Sequence, residues 1–206
     1  MGIRLRHESA VVDAAHRSGV SNAPMRAWPH AVMLTVLATA SAFAAETTRT
    51  EAAGLRFKLP RAWTRVPTMV ETRAAQYRVP AAPGDAAETD FAVFFRGEGQ
   101  GGSAAEHLER WYGRFVQRDG RSSRDVAVVT TRTVGDLRVT AIDLSGTWIG
   151  AAAQPTGAGI SGYRLLGAVV EGTGGPWVLE ILGPAATVDR TKADFDTLLG
   201  SVEAHR

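Results

Sequence analysis

A chain of 206 residues, 45% of them hydrophobic, can bury the core of one ordinary domain and is short for two. It has no cysteine, which excludes disulfides, thiolate metal sites, thiol nucleophiles and a lipid-bearing cysteine. The formal net charge of +2 does not make a basic face: four arginines and two carboxylates precede Ala45, so residues 45–206 are formally neutral and carry no basic run for neutralising phosphates.

Residues 1–24 are polar and without periodicity, and a second methionine, Met25, follows them. From there Arg26 supplies a positive n-region, residues 31–40 an apolar h-region, and Ala42-Phe43-Ala44 an A-x-A cleavage site. This predicts a secretory signal peptide cut near Ala44/Ala45, with Met25 as the start that gives it a normal length. The expected organisation is an N-terminal extension plus signal over 1–44 and a single α+β domain over 45–206, periplasmic or extracellular. The apolar run is about half of the ~20 residues a membrane helix needs, so no membrane span is expected after cleavage.

"GLRFKLP" alternates Leu55, Phe57 and Leu59 and stops at Pro60, as a first strand would, with Trp63 plugging the turn that follows. "MVETRAAQYRVP" is a second strand, and the Pro/Gly/Asp cluster "PAAPGDAAE" connects it to a buried third, "TDFAVFFRG". Ala104, Leu108, Trp111 and Phe115 then recur at three- and four-residue spacings, which predicts a helix over residues 103–118. "RDGRSSRD" ends it with a polar turn. Four strands follow in "VAVVTTRTV", "LRVTAIDLSGTWIG", "YRLLGAVVEG" and "WVLEILGP", separated by Gly135-Asp136, the Gly/Ala/Pro loop 150–162 and "GTGGP" at 172–176. A last helix spans roughly residues 188–202 and packs through Phe195, Leu198, Leu199 and Val202. Short turns between consecutive strands imply antiparallel pairing, and hence α+β layers rather than a doubly wound sheet.

Gly97, Gly99 and Gly102 have the G-x-G-x-x-G spacing of a dinucleotide loop, and Asp119 falls about 20 residues on. That reading of residues 97–102, the weaker one, meets chemical objections. Asp119 lies in the turn right after the helix rather than at the end of a parallel strand, and Glu98 would place a carboxylate against the pyrophosphate. Ser103 with Glu106 instead makes an S-x-x-E capping box, so a tight structural turn is the stronger expectation. No cofactor is expected.

With only His107 and His205 after residue 45, a multi-histidine metal centre is excluded. His107 with Ser103 or Ser145 and Asp143 has the ingredients of a hydrolytic triad, but no serine sits in a G-x-S-x-G elbow. Glu98, Asp143, Glu171 and Glu180 are the candidates for a paired-carboxylate site, and no spacing singles out two of them. Arg110-Trp111 joins two residue types that favour interfaces, although Trp111 also fits the apolar stripe of its helix.

"GLRFKLPRAW", "TRAAQYRVP", "FAVFFRGEGQGGSAAEHLERW", "DLSGTW", "YRLLGAVVEG" and "LGPAATV" resemble, in that order, a family of uncharacterised bacterial exported proteins with the PsbP-like fold. That fold is the α/β/α sandwich shared by the photosystem II extrinsic protein and a Ran-binding nuclear import factor. The resemblance covers about residues 54–201 and implies an antiparallel sheet of six to seven strands flanked by helices. It also implies docking to another protein rather than catalysis. The expected function is therefore an exported, non-enzymatic binding or adaptor domain with a protein or cell-envelope partner, whose candidate surface involves the glycine loop, the adjoining helix start and the loop 150–162 and comprises Glu98, Gln100, His107, Arg110 and Trp111. The alternative is a small-ligand binder or hydrolase that uses acidic residues such as Glu98 and Asp143.

Overall fold

The computed structural model describes residues 46–86, 88–150 and 159–205. The expected signal segment and the greater part of the loop 150–162 lie outside the described residues. The alternating Leu55, Phe57 and Leu59 form β2 (Leu55–Pro60), buried on one side, and β2 turns back on β1 (Thr47–Ala52) through Ala53-Gly54. β11 (Glu203–Ala204) pairs with the other edge of β2, which completes a three-stranded sheet in the order β1-β2-β11.

The main sheet holds β3 (Thr64–Arg65), β4 (Arg73–Val79), β5 (Thr89–Phe95), β6 (Phe115–Val116), β7 (Val128–Val134), β8 (Leu137–Trp148), β9 (Ile160–Glu171) and β10 (Trp177–Pro184). Its order is β3-β4-β5-β10-β9-β8-β6, with β7 also against β8, and every pairing is antiparallel. β7 through β10 form an unbroken meander, and β5 closes against β10 from more than eighty residues away in the chain. The helices are α1 (Ala104–Tyr112), the single turn α2 (Ser123–Val126) and α3 (Ala185–Leu199).

The α+β class therefore stands, while the count of six to seven strands gives way to sheets of eight and three. β1 is polar up to its last residue, Ala52, and has no apolar alternation to announce it, and the two-residue β3, β6 and β11 are too short to show a period. The predicted helix 103–118 also runs too far. α1 stops at Gly113, and Phe115 leaves the helical stripe to pair with Trp148 of β8. The polar turn after it contains α2, and the last helix starts three residues earlier than expected and ends at Gly200.

Period-two alternation gives the sheet two different faces. On one, Phe91, Val93, Val139, Leu166, Leu179 and Ile181 meet Val188, Phe195, Leu198 and Leu199 of α3 and the inner side of β2. Phe91 sits at the centre of this core, with its ring 5.4 to 6.4 Å from those of Phe57, Trp63, Tyr77 and Phe195. On the other face α1 covers Ile142, Leu165, Val169 and Val178 through Trp111. Gly167 of β9 makes that approach close: a methyl group on it would lie 2.8 Å from the Trp111 ring. α1 is too short to reach β4 and the outer part of β5. There the same face is polar, linked by Arg73 to Gln76, Gln76 to Asp90 and Arg78 to Asp90.

Candidate functional site

The boundary between the covered and uncovered parts of the second face is a cleft of about 810 Å³. α1 forms one wall, Phe94 of β5 with Val178 and Glu180 of β10 form the floor, and the loop 96–102 with Pro176 closes one end. Gln100, His107, Arg110 and Trp111 all line it. Glu98 does not, because its carboxylate turns away to accept the amide of Gly174, 3.2 Å distant, in the turn between β9 and β10.

The loop that shapes this end is fixed locally. Gly99 donates its amide to the carbonyl of Gly175 at 2.7 Å, and the His107 ring donates from Nε2 to the carbonyl of Gly101 at 2.8 Å. Gly101 and Gly102 have φ of 106° and 88°, a region that other residues enter with strain. The expected capping box is formed: Ser103 Oγ accepts from the amide of Glu106 at 3.3 Å, and Glu106 Oε2 accepts from the amide of Ser103 at 2.7 Å. Glu171 accepts from the next amide, that of Ala104, at 3.4 Å. Two carboxylates thus occupy the amino end of α1, where a nucleotide phosphate would have to sit, so the glycine loop is a structural turn.

At the floor, Glu180 accepts from Trp111 Nε1 and from Arg114 Nη1, both at 2.9 Å, and pairs with Arg114 through its other oxygen as well. The Glu180 and Arg114 side chains are 15% and 29% exposed, and Trp111 only 2%, so Trp111 contributes a buried wall rather than an exposed contact. Burial, reinforced by Arg110, holds the His107 imidazole below its ordinary pKa, against the opposing hydrogen bond to Gly101 and the charges of Glu106 and Glu180. This favours the neutral form of the ring. Arg96 and Arg110 stand on the exposed rim. Among the described residues neither forms an ion pair, in contrast to Arg114 with Glu180 and Arg124 with Glu109.

A smaller hollow of about 280 Å³ continues past Phe94, Arg114 and Glu180 to Arg73 and Asp90. The Arg73 guanidinium lies 5.1 Å from the centre of the Phe94 ring, and its Nε is buried with no hydrogen-bond partner.

The four carboxylates considered as an acid/base pair are held separately. Asp143 lies on the opposite face, clamped by Arg164 at 2.6 and 2.7 Å beside Asp189 of α3, while Glu98, Glu171 and Glu180 answer to Gly174, Ala104 and the Trp111–Arg114 pair. Glu98 and Asp143 do not converge, and Ser103 is committed to its helix cap. Among the described residues no three His, Asp or Glu side chains are grouped to hold a metal ion, and no helix is long and apolar enough to cross a membrane.

Sequence reasoning missed the floor and the rim cation of the cleft: Phe94, Val178 and Arg96, and the place of Glu180 beneath Trp111. Arg96 directly precedes the glycine loop and was within reach. Val178 and Glu180 come from β10, and only the β5–β10 pairing brings them near α1.

No protein-family model matches the chain, and no curated protein matches it. Among solved structures, the solution structure of cyanobacterial PsbP (CyanoP) from Synechocystis sp. PCC 6803 is similar, with a TM-score of 0.50 at 13% identity. The match covers 80% of this chain and 96% of that one. At that identity the likeness carries the architecture alone, and it is the architecture that the family resemblance implied: this chain has the PsbP-like fold.

Proposed function

We propose that residues 45–206 are an exported binding domain of the periplasm or cell envelope, without catalysis of their own, and that the α1 cleft is its recognition site. The carrying observation is the division of charge in the cleft. The carboxylates that line it, Glu106 and Glu180, are consumed by the helix cap and by Trp111 with Arg114, whereas Arg96 and Arg110 on its rim are unengaged. A general acid or base needs a proton-transfer group free to act on a substrate; both carboxylates are committed, and the His107 ring spends its Nε2 on the Gly101 carbonyl. The PsbP-like fold is compatible with this role and does not assign it, because one scaffold carries unrelated functions.

The test is retention of an envelope component by the immobilised protein, compared with an Arg96→Ala, Arg110→Ala variant. Trp111 is left intact, since its removal would damage the core beneath α1. A component held by the native protein and lost by the folded variant supports the reading, and equal retention by both removes the cleft from it. Export is checked by the amino-terminal sequence of the protein recovered outside the cytoplasm, expected to begin at Ala45.

The size of the cleft favours a second reading, that the bound species is a small molecule. About 810 Å³ is within the range of ordinary ligand pockets, ~300–1,000 Å³.

A further inference from the structure

We infer that the cleft takes an amphipathic anion: an apolar group seated on Phe94, Val178 and Pro176, and a carboxylate held between Arg96 and Arg110. This rests on the reading of the cleft as a binding site and adds the chemistry of what it binds.

The two arginines line the same end of the cleft. The Arg96 side chain runs along Gly101, so that a methyl group on Gly101 would lie 3.9 Å from its Cβ and 4.0 Å from its Cδ. On the adjacent Gly102 a methyl group would meet the Glu106 carboxylate first, 2.6 Å from Oε2, with Arg110 Nη2 beyond it at 4.0 Å. Two guanidinium-bearing chains from different elements, the end of β5 and the last turn of α1, therefore flank two consecutive glycines at the mouth of the cleft. A side chain at 101 would press on Pro176 and the Arg96 stem, and one at 102 on the Glu106 carboxylate, so both glycines keep this end of the cleft open.

The charges within reach do not satisfy this pair. Glu106 is one turn from Arg110, but its Oε2 already accepts from both the amide and the hydroxyl of Ser103. Glu180 is neutralised by Arg114 below. Three arginines against two carboxylates leave the cleft with an excess positive charge. A planar anion is what two guanidinium forks recognise best, because each can donate a pair of charge-assisted hydrogen bonds. The floor then favours an apolar body attached to it, since a small inorganic anion would leave the part-exposed Phe94 and Pro176 against water, Val178 beneath them being already buried.

Two sources present this chemistry, a free apolar acid and the last residue of a polypeptide with an apolar side chain. Isothermal titration calorimetry on the purified protein distinguishes them with two matched pairs of probes. One pair is 4-phenylbutanoate and 4-phenylbutanamide. The other is the peptide Ala-Ala-Ser-Leu-Phe with a free and with an amidated carboxy-terminus.

Each acid is expected to bind at least about tenfold more tightly than its amide. The preference should disappear in an Arg96→Gln, Arg110→Gln variant and, in the native protein, on raising salt from about 20 to about 500 mM. A stronger peptide arm identifies a chain terminus as the ligand, and a stronger phenylbutanoate arm a free acid.

Equal binding of acid and amide would overturn the inference and leave the cleft a binding site of other chemistry. Acid preference that survives both the double variant and salt would overturn it too, by placing the anion elsewhere. Absence of binding by all four probes would overturn this ligand class, and envelope retention that still depends on Arg96 and Arg110 would then show the binding reading standing without it.

Discussion

The two faces of the main sheet are built from the same strands and do opposite things. β10 shows this within four residues: Leu179 and Ile181 point into a core sealed by α3 and β2, while Val178 and Glu180 point under α1 to the floor of an open cleft. The sealed face has a fifteen-residue helix and a second sheet over it; the other has nine residues of helix and polar strands beyond. The lesson is that coverage, and not strand sequence alone, separates a face that holds the fold together from one available for recognition.

The largest effect should come from breaking the sealed face. Phe195→Ala removes a ring that packs on Phe91 at 6.4 Å and should cost about 3–5 kcal/mol in urea unfolding, with ligand affinity of the remaining folded protein unchanged. On the open face, Trp111→Phe keeps most of the packing but deprives Glu180 of its indole donor. A loss of about 1–2 kcal/mol is expected, small because Arg114 still holds the carboxylate. Ser103→Ala should cost about 1 kcal/mol by uncapping α1, and hydrogen exchange should rise in the first turn of α1 and not in α3.

The smallest expected effect is a pH slope. Burial lowers the His107 pKa in the folded state, so the unfolded chain binds the proton more readily and His107 contributes stability that is present above about pH 6.5 and lost as pH falls below it. His107→Gln should flatten that part of the stability profile. An unchanged slope would show that the ring is more hydrated than its contact with Gly101 implies.

How much of this was legible depended on whether the interaction was local. The strands with Leu55-Phe57-Leu59 and Phe91-Val93, the turn Gly135-Asp136, and the packing side of α3 were readable because period and turn chemistry are written within a few residues. The Ser103–Glu106 box was readable for the same reason, and so was the proximity of Gln100, His107, Arg110 and Trp111 along one loop and helix. β1 was not, since "TTRTEA" becomes a strand only by pairing with β2. Nor was the floor of the cleft, because the chain between α1 and β10 holds no local sign that β10 will return beside β5. Glu98 illustrates the converse: its neighbours in sequence line the cleft, while a single hydrogen bond to Gly174 takes it out.

The most direct measurement of the central claim is amide chemical-shift mapping of the isotope-labelled protein during titration with 4-phenylbutanoate. The account predicts perturbations confined to residues 94–114 and 176–180, with α3 and the three-stranded sheet silent. Shifts centred on α3, or spread evenly over both faces, would contradict it.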